Sequence, residues 1–325
     1  MFVKRAHRAP MSFGAIALLF VSAAWAVDES LESNRVSIQP RARAVSRNDV
    51  SIRVDSNLVL IPVSVTDPKN HPVTGLTSNH FRIFEGKAEQ KVLRLSSEDV
   101  PVSIGIVFDA SGSMAGKIAK AREAVAEFLK TANPEDEFFL VDFNSAIDLA
   151  VPFTTNTDEI QARLNQVECK GKTALLDAMY MALQYMRKAK NQRKALLVIS
   201  DGGDNHSRFT ARETRNMVRE AGAWIYALGV YAHGSQTLPE EERGGEKLLS
   251  DIAEETGGRQ FALHNASELP GAAATIGLQL RNQYILAYSP ANTEEDGKYR
   301  RVQVKLVEGR DMNLSWRSGY YAPAK

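Results

Sequence analysis

Residues 105–114 read Gly-Ile-Val-Phe-Asp-Ala-Ser-Gly-Ser-Met, a short apolar run followed by an acid and small polar residues. An apolar strand stops abruptly at Asp109, and Ser111 and Ser113 follow at alternate positions. One carboxylate and two neutral hydroxyls, offered from a tight turn at the end of a strand, suit the oxygen-only octahedral coordination of Mg²⁺. They cancel only part of the charge of the ion, which stays electrophilic toward an outside carboxylate. The stretch therefore predicts a site for a small, hard cation.

Two later segments supply further oxygen ligands. Residues 171–173 read Gly-Lys-Thr at the start of an amphipathic helix, which places Thr173 in a loop. Residues 196–202 read Leu-Leu-Val-Ile-Ser-Asp-Gly, a second apolar strand that ends in an acid, Asp201. In open α/β sheets, ligands gather beyond the carboxyl ends of the strands. We therefore expect these side chains to meet at one edge of the sheet.

With these residues in this order, the chain resembles the von Willebrand factor A domain over residues 98–282. The metal-ion-dependent adhesion site of that family uses an Asp-x-Ser-x-Ser turn, a Thr from a second loop and an Asp from a third. The resemblance implies that the metal ligands here are Asp109, Ser111, Ser113, Thr173 and Asp201. It also implies that the hydroxyls touch the metal directly or through water, and that the acids often act through water. The implied metal is Mg²⁺, with Mn²⁺ or Ca²⁺ as alternatives, and a partner's Asp or Glu carboxylate completes its coordination.

The chain departs from the family pattern at two positions near the site. Ser200 stands where the family commonly has Thr, a change that should matter little because the hydroxyl is kept. Lys172 lies beside the implied ligand Thr173. Its charge would either weaken cation binding or help to attract an acidic partner.

The same residues also have simpler interpretations. Asp and Ser after a strand commonly cap helices, so Asp109, Ser111 or Ser113 would satisfy the free amides of a helix that starts near Lys117. Thr173 would likewise cap its own helix, and the acid of the third segment would belong to a plain turn. Capping requires three separate coincidences at corresponding sheet ends, whereas one cation site explains all three segments.

Neighbouring polar residues have local explanations. Asp204 and Asn205 add oxygen ligands near the third segment, but turn bonding accounts for them, so they are left out of the ligand set. His206 is expected to be exposed, because a hard cation does not favour imidazole. Cys169 precedes the Thr loop without a recognisable redox motif, so packing is favoured over a reactive thiol.

The motifs of the common hydrolases and transferases are incomplete. Residues 171–173 look like the end of a phosphate-binding loop, yet Gln166 stands where that motif needs a Gly. Ser111 and Ser113 lack the Gly-x-Ser-x-Gly elbow of a nucleophilic Ser. Asp109 lacks a second Asp two positions on, which argues against an aspartyl-phosphate transferase. We therefore expect no enzymatic activity.

Composition predicts an ordinary globular protein with a local binding site. The chain has 325 residues, of which 44% are hydrophobic and 24% charged, so it can bury a full core and divide into two domains. Its formal net charge of +1 gives no general attraction to nucleic acid or membrane surfaces. Cys169 is the single cysteine, which excludes an internal disulfide.

The N-terminus resembles a secretory signal peptide. Basic residues in the first eight positions precede an apolar run at 11–21 and the small-residue stretch Ala-Trp-Ala at 24–26. We predict cleavage after Ala26, a flexible leader over 27–49 and a secreted or periplasmic location in a bacterial envelope. A permanent anchor is the alternative, but the run is shorter than the roughly 20 residues that cross a bilayer. No transmembrane segment is expected after cleavage.

Strand patterns flank the central domain on both sides. Before it they are predicted at 58–66, 81–87 and 90–95, and after it at 284–288, 299–307 and 312–316. We predict one β-sandwich assembled from residues 50–97 and 283–325, with two separate small β units as the alternative. The flanks also resemble those of secreted bacterial relatives of the von Willebrand domain, which carry a hairpin like residues 84–87 and a Gly-Tyr-Tyr terminus like residues 319–321.

Between the flanks, strands and helices alternate, which favours a parallel sheet wrapped by helices. The predicted fold class is α/β: a doubly wound, mostly parallel sheet, the Rossmann-like von Willebrand factor A fold, with a flanking β-sandwich. Its strands are predicted at 102–108, 137–143, 195–200, 223–230 and 259–263, with an antiparallel edge strand at 146–153. Helices are predicted to begin near Lys117, Thr173, Thr210, Glu246 and Ser267.

The leading functional prediction is a secreted adhesion or interaction module that captures a partner's Asp or Glu through Mg²⁺. The alternative is a structural scaffold of an envelope or secretion assembly, in which the metal serves stability only.

Overall fold

The computed structural model describes residues 58–231, 240–307 and 311–324, and for residues 240–243 only the helical backbone. The predicted signal peptide, the leader and residues 50–57 of the predicted sandwich lie outside these ranges. No helix in the described part of the chain is long and apolar enough to cross a membrane.

The secondary structure follows the predicted order, with an additional helix at Thr157–Gln166 and an additional strand at Gly319–Tyr321. The helix predicted to begin near Glu246 begins at Glu240. The described part of the chain begins with the strands β1 (Val59–Thr66), β2 (Phe81–Glu85), β3 (Ala88–Gln90) and β4 (Arg94–Ser96). The central domain follows: β5 (Val102–Asp109), α1 (Ile118–Leu129), β6 (Glu137–Phe143), β7 (Ile147–Thr154), α2 (Thr157–Gln166), α3 (Leu175–Tyr185), β8 (Arg193–Ser200), α4 (Ala211–Ala221), β9 (Trp224–Val230), α5 (Glu240–Thr256), β10 (Arg259–Leu263) and α6 (Leu269–Arg281). Four strands complete the chain: β11 (Tyr284–Tyr288), β12 (Tyr299–Leu306), β13 (Asn313–Trp316) and β14 (Gly319–Tyr321).

The central sheet has the strand order β10-β9-β8-β5-β6-β7. All its neighbouring pairs are parallel except β6 and β7, which run antiparallel. The predicted α/β class and its antiparallel edge strand are confirmed. Starting at β5, the chain first adds β6 and β7 on one side of the sheet, and then adds β8, β9 and β10 on the other side. The connections after β5 and after β8 therefore run in opposite directions. This reversal is the topological switch point at which open α/β sheets bind ligands.

Helices cover both faces of this sheet, which explains why its inner strands are apolar at nearly every position. On one face, Ile104, Ile106 and Phe108 of β5 pack with residues of α1, α2 and α6. On the other, Val107 packs with residues of α3, α4 and α5. Gly105 leaves room there for the Phe139 ring, which would overlap any added methyl group.

Strands from the two flanks pair with each other in two further sheets, ordered β13-β1-β11-β4 and β14-β12-β2-β3. Their facing sides share one core that contains Ile61, Val63, Ile83, Leu286 and Val304. The sheet-on-sheet packing is that of a β-sandwich, as the predicted fold class has it. The exact domain boundaries stay a prediction.

The predicted strand at 90–95 is wrong in one respect, because it is two short strands in different sheets. β3 pairs with β2, whereas β4 pairs with β11. The chain crosses from one sheet to the other between Gln90 and Arg94, and no Gly, Pro, Asn or Asp in this stretch of sequence marks the crossing. The sequence pattern alone therefore predicts one strand where the structure has β3 and β4.

A partly buried hydrogen-bond cluster joins both sheets of the sandwich and both flanks of the chain. One carboxylate oxygen of Glu85 at the end of β2 accepts hydrogen bonds from the Tyr288 hydroxyl of β11 at 2.8 Å and the Tyr320 hydroxyl of β14 at 3.0 Å. Tyr288 is fully buried. A buried hydroxyl needs a partner, so Glu85 stabilises the closure of the sandwich.

We expect Glu85→Ala to lower the free energy of unfolding by about 1–3 kcal/mol, because it leaves the buried Tyr288 hydroxyl without its acceptor. Glu89→Ala is the matched control, since Glu89 lies on the next strand and forms only an exposed ion pair with Arg82. That variant should lose less than about 1 kcal/mol. Urea unfolding followed by circular dichroism measures both, and equal losses would contradict the role given to Glu85.

Candidate metal centre at the switch point of the sheet

The two predicted acids lie at the carboxyl ends of adjacent parallel strands. Asp109 is the last residue of β5, and Asp201 directly follows β8. These strands flank the switch point, where the connecting loops leave in opposite directions and open a crevice. The topology thus brings together two carboxylates that lie far apart in sequence.

Asp109 is fully buried and fixed by hydrogen bonds at both carboxylate oxygens. Its Oδ1 accepts from the backbone N–H of Ser111 at 2.8 Å, and its Oδ2 accepts from the Ser200 hydroxyl at 2.5 Å. Burial, and then the negative charge of Asp201, raise the pKa of Asp109 to about 6, although the hydrogen bonds oppose this rise. The two acids are therefore close enough to repel each other.

The two serines of the first turn lie side by side. The hydroxyl oxygens of Ser111 and Ser113 are 3.1 Å apart. Ser111 is buried, whereas Ser113 is exposed, so the turn connects the crevice with solvent. The backbone N–H of Gly112 donates to the Gly171 carbonyl at 3.1 Å, which ties this turn to the loop that carries Thr173.

Thr173 is held from the other side by the third loop. Its backbone N–H donates to Asn205 Oδ1 at 3.0 Å, and its carbonyl accepts from the backbone N–H groups of Asn205 and His206. Hydrogen bonds therefore connect all three predicted loops at one edge of the sheet. Thr173 takes part in these hydrogen bonds through its backbone N–H and carbonyl groups.

Asn205 is a positioning residue that the sequence interpretation missed. Its side chain does not serve its own turn, as expected there, but reaches the loop of Thr173. Asp177 of α3 also positions residues that follow the third loop. Its carboxylate accepts hydrogen bonds from the backbone N–H groups of Arg208 and Phe209 at 2.8 and 2.9 Å. No local pattern announces either contact, because each joins residues about 30 positions apart.

Lys117 supplies a positive charge inside the site. Its Nζ donates to Asp201 Oδ2 at 3.0 Å and to the Val230 carbonyl at 3.3 Å. The sequence interpretation considered Lys172 as the cation near the ligands, but the Lys172 side chain is exposed. The position of Lys117 just before α1, one turn beyond Ser113, is the signal that would have found it.

The capping interpretation is wrong for these residues. Lys117 precedes α1 and Ala174 precedes α3, and neither of these two side chains accepts a hydrogen bond from its helix. The Ser111 side chain accepts none from the short 3₁₀ turn Gly112–Met114 that follows it. The hydroxyls of Ser111, Ser113 and Thr173 therefore remain available for another purpose.

Other residues near the site behave as ordinary structural groups. His206 is exposed, as expected. Cys169 is half-buried against the apolar core, and this burial raises the pKa of its thiol, which favours packing over reactivity. Asp204 accepts a hydrogen bond from the Ser207 backbone and thus serves its own turn.

The chemistry of the donor set fits a hard divalent cation. In the described ranges, no group of three or more His, Cys, Asp or Glu side chains forms a metal cluster. The predicted set has only two carboxylates, and hydroxyls supply its other oxygens, a combination suited to Mg²⁺ and not to zinc. The identity of the five ligands stays a prediction.

Comparison with known families agrees with the topology. Residues 104–203 match the sequence model of the von Willebrand factor type A domain. The chain contains a von Willebrand factor type A domain. The match begins in β5 and ends just after Asp201, so it includes all five residues of the predicted site.

Curated relatives share this part of the chain. Inter-alpha-trypsin inhibitor heavy chain H4 of Bos taurus is 32% identical over 226 residues, which cover 65% of this chain and 23% of that protein. The Homo sapiens H4 chain is 25% identical over 228 residues, with coverage of 66% and 23%. The chain thus spans about a quarter of the length of these relatives.

Solved structures give weaker matches. A von Willebrand factor type A protein from Catenulispora acidiphila superposes with a TM-score of 0.48 at 12% identity, covering 82% of this chain and 74% of that one. BatB from Bacteroides thetaiotaomicron gives 0.44 at 20% identity, with coverage of 55% and 98%. The domain assignment rests on the family match and on the observed sheet topology.

We expect Ser200→Ala to lower the free energy of unfolding of the von Willebrand domain by about 1–3 kcal/mol. The Ser200 hydroxyl donates to Oδ2 of buried Asp109 and accepts from the Gly202 backbone N–H, so its loss removes one hydrogen bond from each of these groups. Ser250→Ala is the control, because the Ser250 hydroxyl bonds Glu254 on the exposed side of α5 and should cost less than about 0.5 kcal/mol. Urea unfolding measures both, and a Ser200→Ala loss no larger than the control's would argue against the bond.

Proposed function

We propose that this chain is a secreted interaction module that captures a partner protein through a divalent cation at the von Willebrand domain. The cation is Mg²⁺, with Mn²⁺ or Ca²⁺ as alternatives, and the ligands are Asp109, Ser111, Ser113, Thr173 and Asp201. A bound cation would act as a Lewis acid for one Asp or Glu carboxylate of the partner. The observation that carries the proposal is the convergence of oxygen-bearing side chains from separate loops at the switch point of the sheet.

The charges of the site favour an incoming anion once a cation is present. Asp109 and Asp201 together balance the double charge of the metal, whereas the Lys117 ammonium remains in addition. One positive charge is then uncompensated in a mostly buried crevice. Because low polarity strengthens charge interactions, a carboxylate from outside is the natural counter-ion.

The exposed hydroxyl of Ser113 gives such a carboxylate a route to the metal. Asp109 stabilises the turn from below through the Ser111 N–H. The Ser200 hydroxyl donates to Asp109, but both side chains are fully buried and out of reach of a substrate. We therefore infer binding, in the sense of cell adhesion, and not catalysis. Secretion or periplasmic location is proposed from the N-terminal sequence.

A structural scaffold is the second candidate function. The observation that favours it is the sandwich, which joins the two flanks of the chain through Glu85 and the two tyrosines. In this case the metal would contribute to stability alone.

Mg²⁺ should raise the melting temperature of the full chain, and Ser113→Ala should weaken Mg²⁺ binding by about tenfold or more. Ser113 is exposed, so its loss removes a ligand without opening the core. Ser97→Ala, also exposed and outside the site, is the matched control and should bind Mg²⁺ like the original chain. Isothermal titration calorimetry measures the affinities, and an unchanged affinity in Ser113→Ala would remove this residue from the ligand set.

Partner capture separates the two candidate functions. The immobilised chain should retain envelope proteins in Mg²⁺ and release them in EDTA, and Asp109→Ala should retain none. Replacing the contacting Asp or Glu of a retained protein by its amide should abolish capture, because an amide cannot replace the carboxylate charge. If EDTA lowers the melting temperature while retention persists, the metal serves stability and the scaffold is the correct function.

Lys117→Met should strengthen Mg²⁺ binding by about tenfold, because the ammonium that pairs with Asp201 no longer repels the cation. Lys120→Met is the control, since Lys120 pairs with Glu123 on the exposed side of α1. Its affinity for Mg²⁺ should not change. Calorimetry at fixed ionic strength measures the difference, and weaker binding in Lys117→Met would show that the lysine supports the site instead of competing with the metal.

A further inference from the structure

A cavity of about 410 Å³ lies at the opposite end of the central sheet from the metal centre. Val102, Arg193 and Trp224 line it from the amino ends of β5, β8 and β9. Leu60 and Ile285 line it from β1 and β11, on the side of the sandwich sheet that faces away from the sandwich core. Its volume falls within the roughly 300–1,000 Å³ of typical ligand sites.

The charges around this cavity have one sign. Its cationic lining residues are Arg94, Arg193, Lys194 and Arg317, and no carboxylate lines it in the part of the chain that is described. Most of the remaining lining is aliphatic or aromatic. A cavity with positive charges and apolar walls is complementary to an anion that carries an apolar body.

Arg317 is the cation available to such an anion. It is partly buried, and this burial lowers its pKa. Its Nη2 donates to the Arg219 carbonyl at 2.7 Å, and within the described ranges no carboxylate forms an ion pair with it. By contrast, Arg281 nearby pairs with both Asp99 and Asp136. A guanidinium held away from water without a counter-charge is costly unless a ligand supplies one.

Among the described residues, Arg193 forms more hydrogen bonds than Arg317, whose Nη2 bonds a carbonyl in the last turn of α4. The Arg193 guanidinium donates to the Leu280 carbonyl and to Gln283 Oε1, both at 2.6 Å, where α6 ends. A cation at a helix C-terminus interacts favourably with the last carbonyls. Arg193 therefore contributes positive potential to the cavity while holding α6 in place, and Arg317 is left to contact a ligand.

Apolar side chains around the cavity remain uncovered. Leu60 is 55% exposed and Val100 is 40% exposed, although both line it beside Trp224, which is 5% exposed. An aliphatic ligand would remove this surface from water and gain the corresponding hydrophobic free energy. Inorganic anions would leave the apolar walls unused.

We propose that this cavity binds a small amphipathic carboxylate, whose head pairs with Arg317 and whose aliphatic body packs against Leu60 and Trp224. The guanidinium fork matches the two oxygens of a carboxylate. The site is separate from the proposed metal centre, because it lies at the amino ends of the strands whose carboxyl ends hold the acids. Binding does not require a divalent cation.

The test is calorimetric titration of the full chain with sodium decanoate below its micellar concentration. We expect saturable binding of one decanoate per chain, unchanged by EDTA, and binding of decanol weaker by about tenfold or more because it lacks the charge. Arg317→Gln should weaken decanoate binding by about tenfold or more, and Arg317→Lys should recover part of the loss. Absence of saturable binding would overturn the proposal.

Two further variants keep the result interpretable. Leu60→Glu places an acid at an exposed position of the cavity and should abolish decanoate binding without unfolding the chain, as its circular dichroism and melting curve would verify. Arg301→Gln removes an exposed arginine of β12 outside the cavity and should leave the affinity unchanged. If Arg317→Gln and Leu60→Glu bind decanoate like the original chain, or Arg301→Gln loses as much as Arg317→Gln, the assigned site is wrong.

Discussion

The buried carboxylate of Asp109 is the group on which the organisation of this protein depends. It closes the strand beside the switch point, and it is bonded to its own turn through Ser111 and to the neighbouring strand through Ser200. A buried acid is costly without such partners, so the turn and the second strand must be correctly placed for the domain to fold. The conformation that provides these bonds also brings the three loops together. Folding and site formation are thus coupled through one side chain.

The sandwich holds together the two chain segments that enter and leave the von Willebrand domain. β1 and β11 pair directly, so the segments on either side of the domain are adjacent in one sheet. Glu85 of the other sheet then bonds Tyr288 of this one, and it also bonds Tyr320 within its own sheet. The resemblance based on residues 84–87 and 319–321 acquires a physical meaning here, because Glu85 and Tyr320 from those two motifs contact each other.

The sequence predicts what local patterns encode. The order of strands and helices, the antiparallel edge strand and the acids at strand ends follow from periodicity and from short motifs. Helix α2 escaped prediction because only Ile160 and Leu164 of its ten residues are buried, too few for a clear period. Asn205 and Lys117 escaped because their partners come from distant loops. Contacts of this kind are set by tertiary packing, which a local pattern does not contain.

Although the net charge is only +1, the two ends of the central sheet differ in their local charge. We call these two ends the poles of the sheet. At the carboxyl ends of the strands, two carboxylates face each other and Lys117 offsets one of them, so an anion is bound there only after a cation has entered. At the amino ends, arginines surround an apolar cavity and attract an anion directly. Ionic strength and chelators therefore act differently on the two poles. A chelator removes the bridging charge at the first and leaves the second unaffected, whereas salt weakens the exposed charges around the cavity more than the buried ones of the crevice.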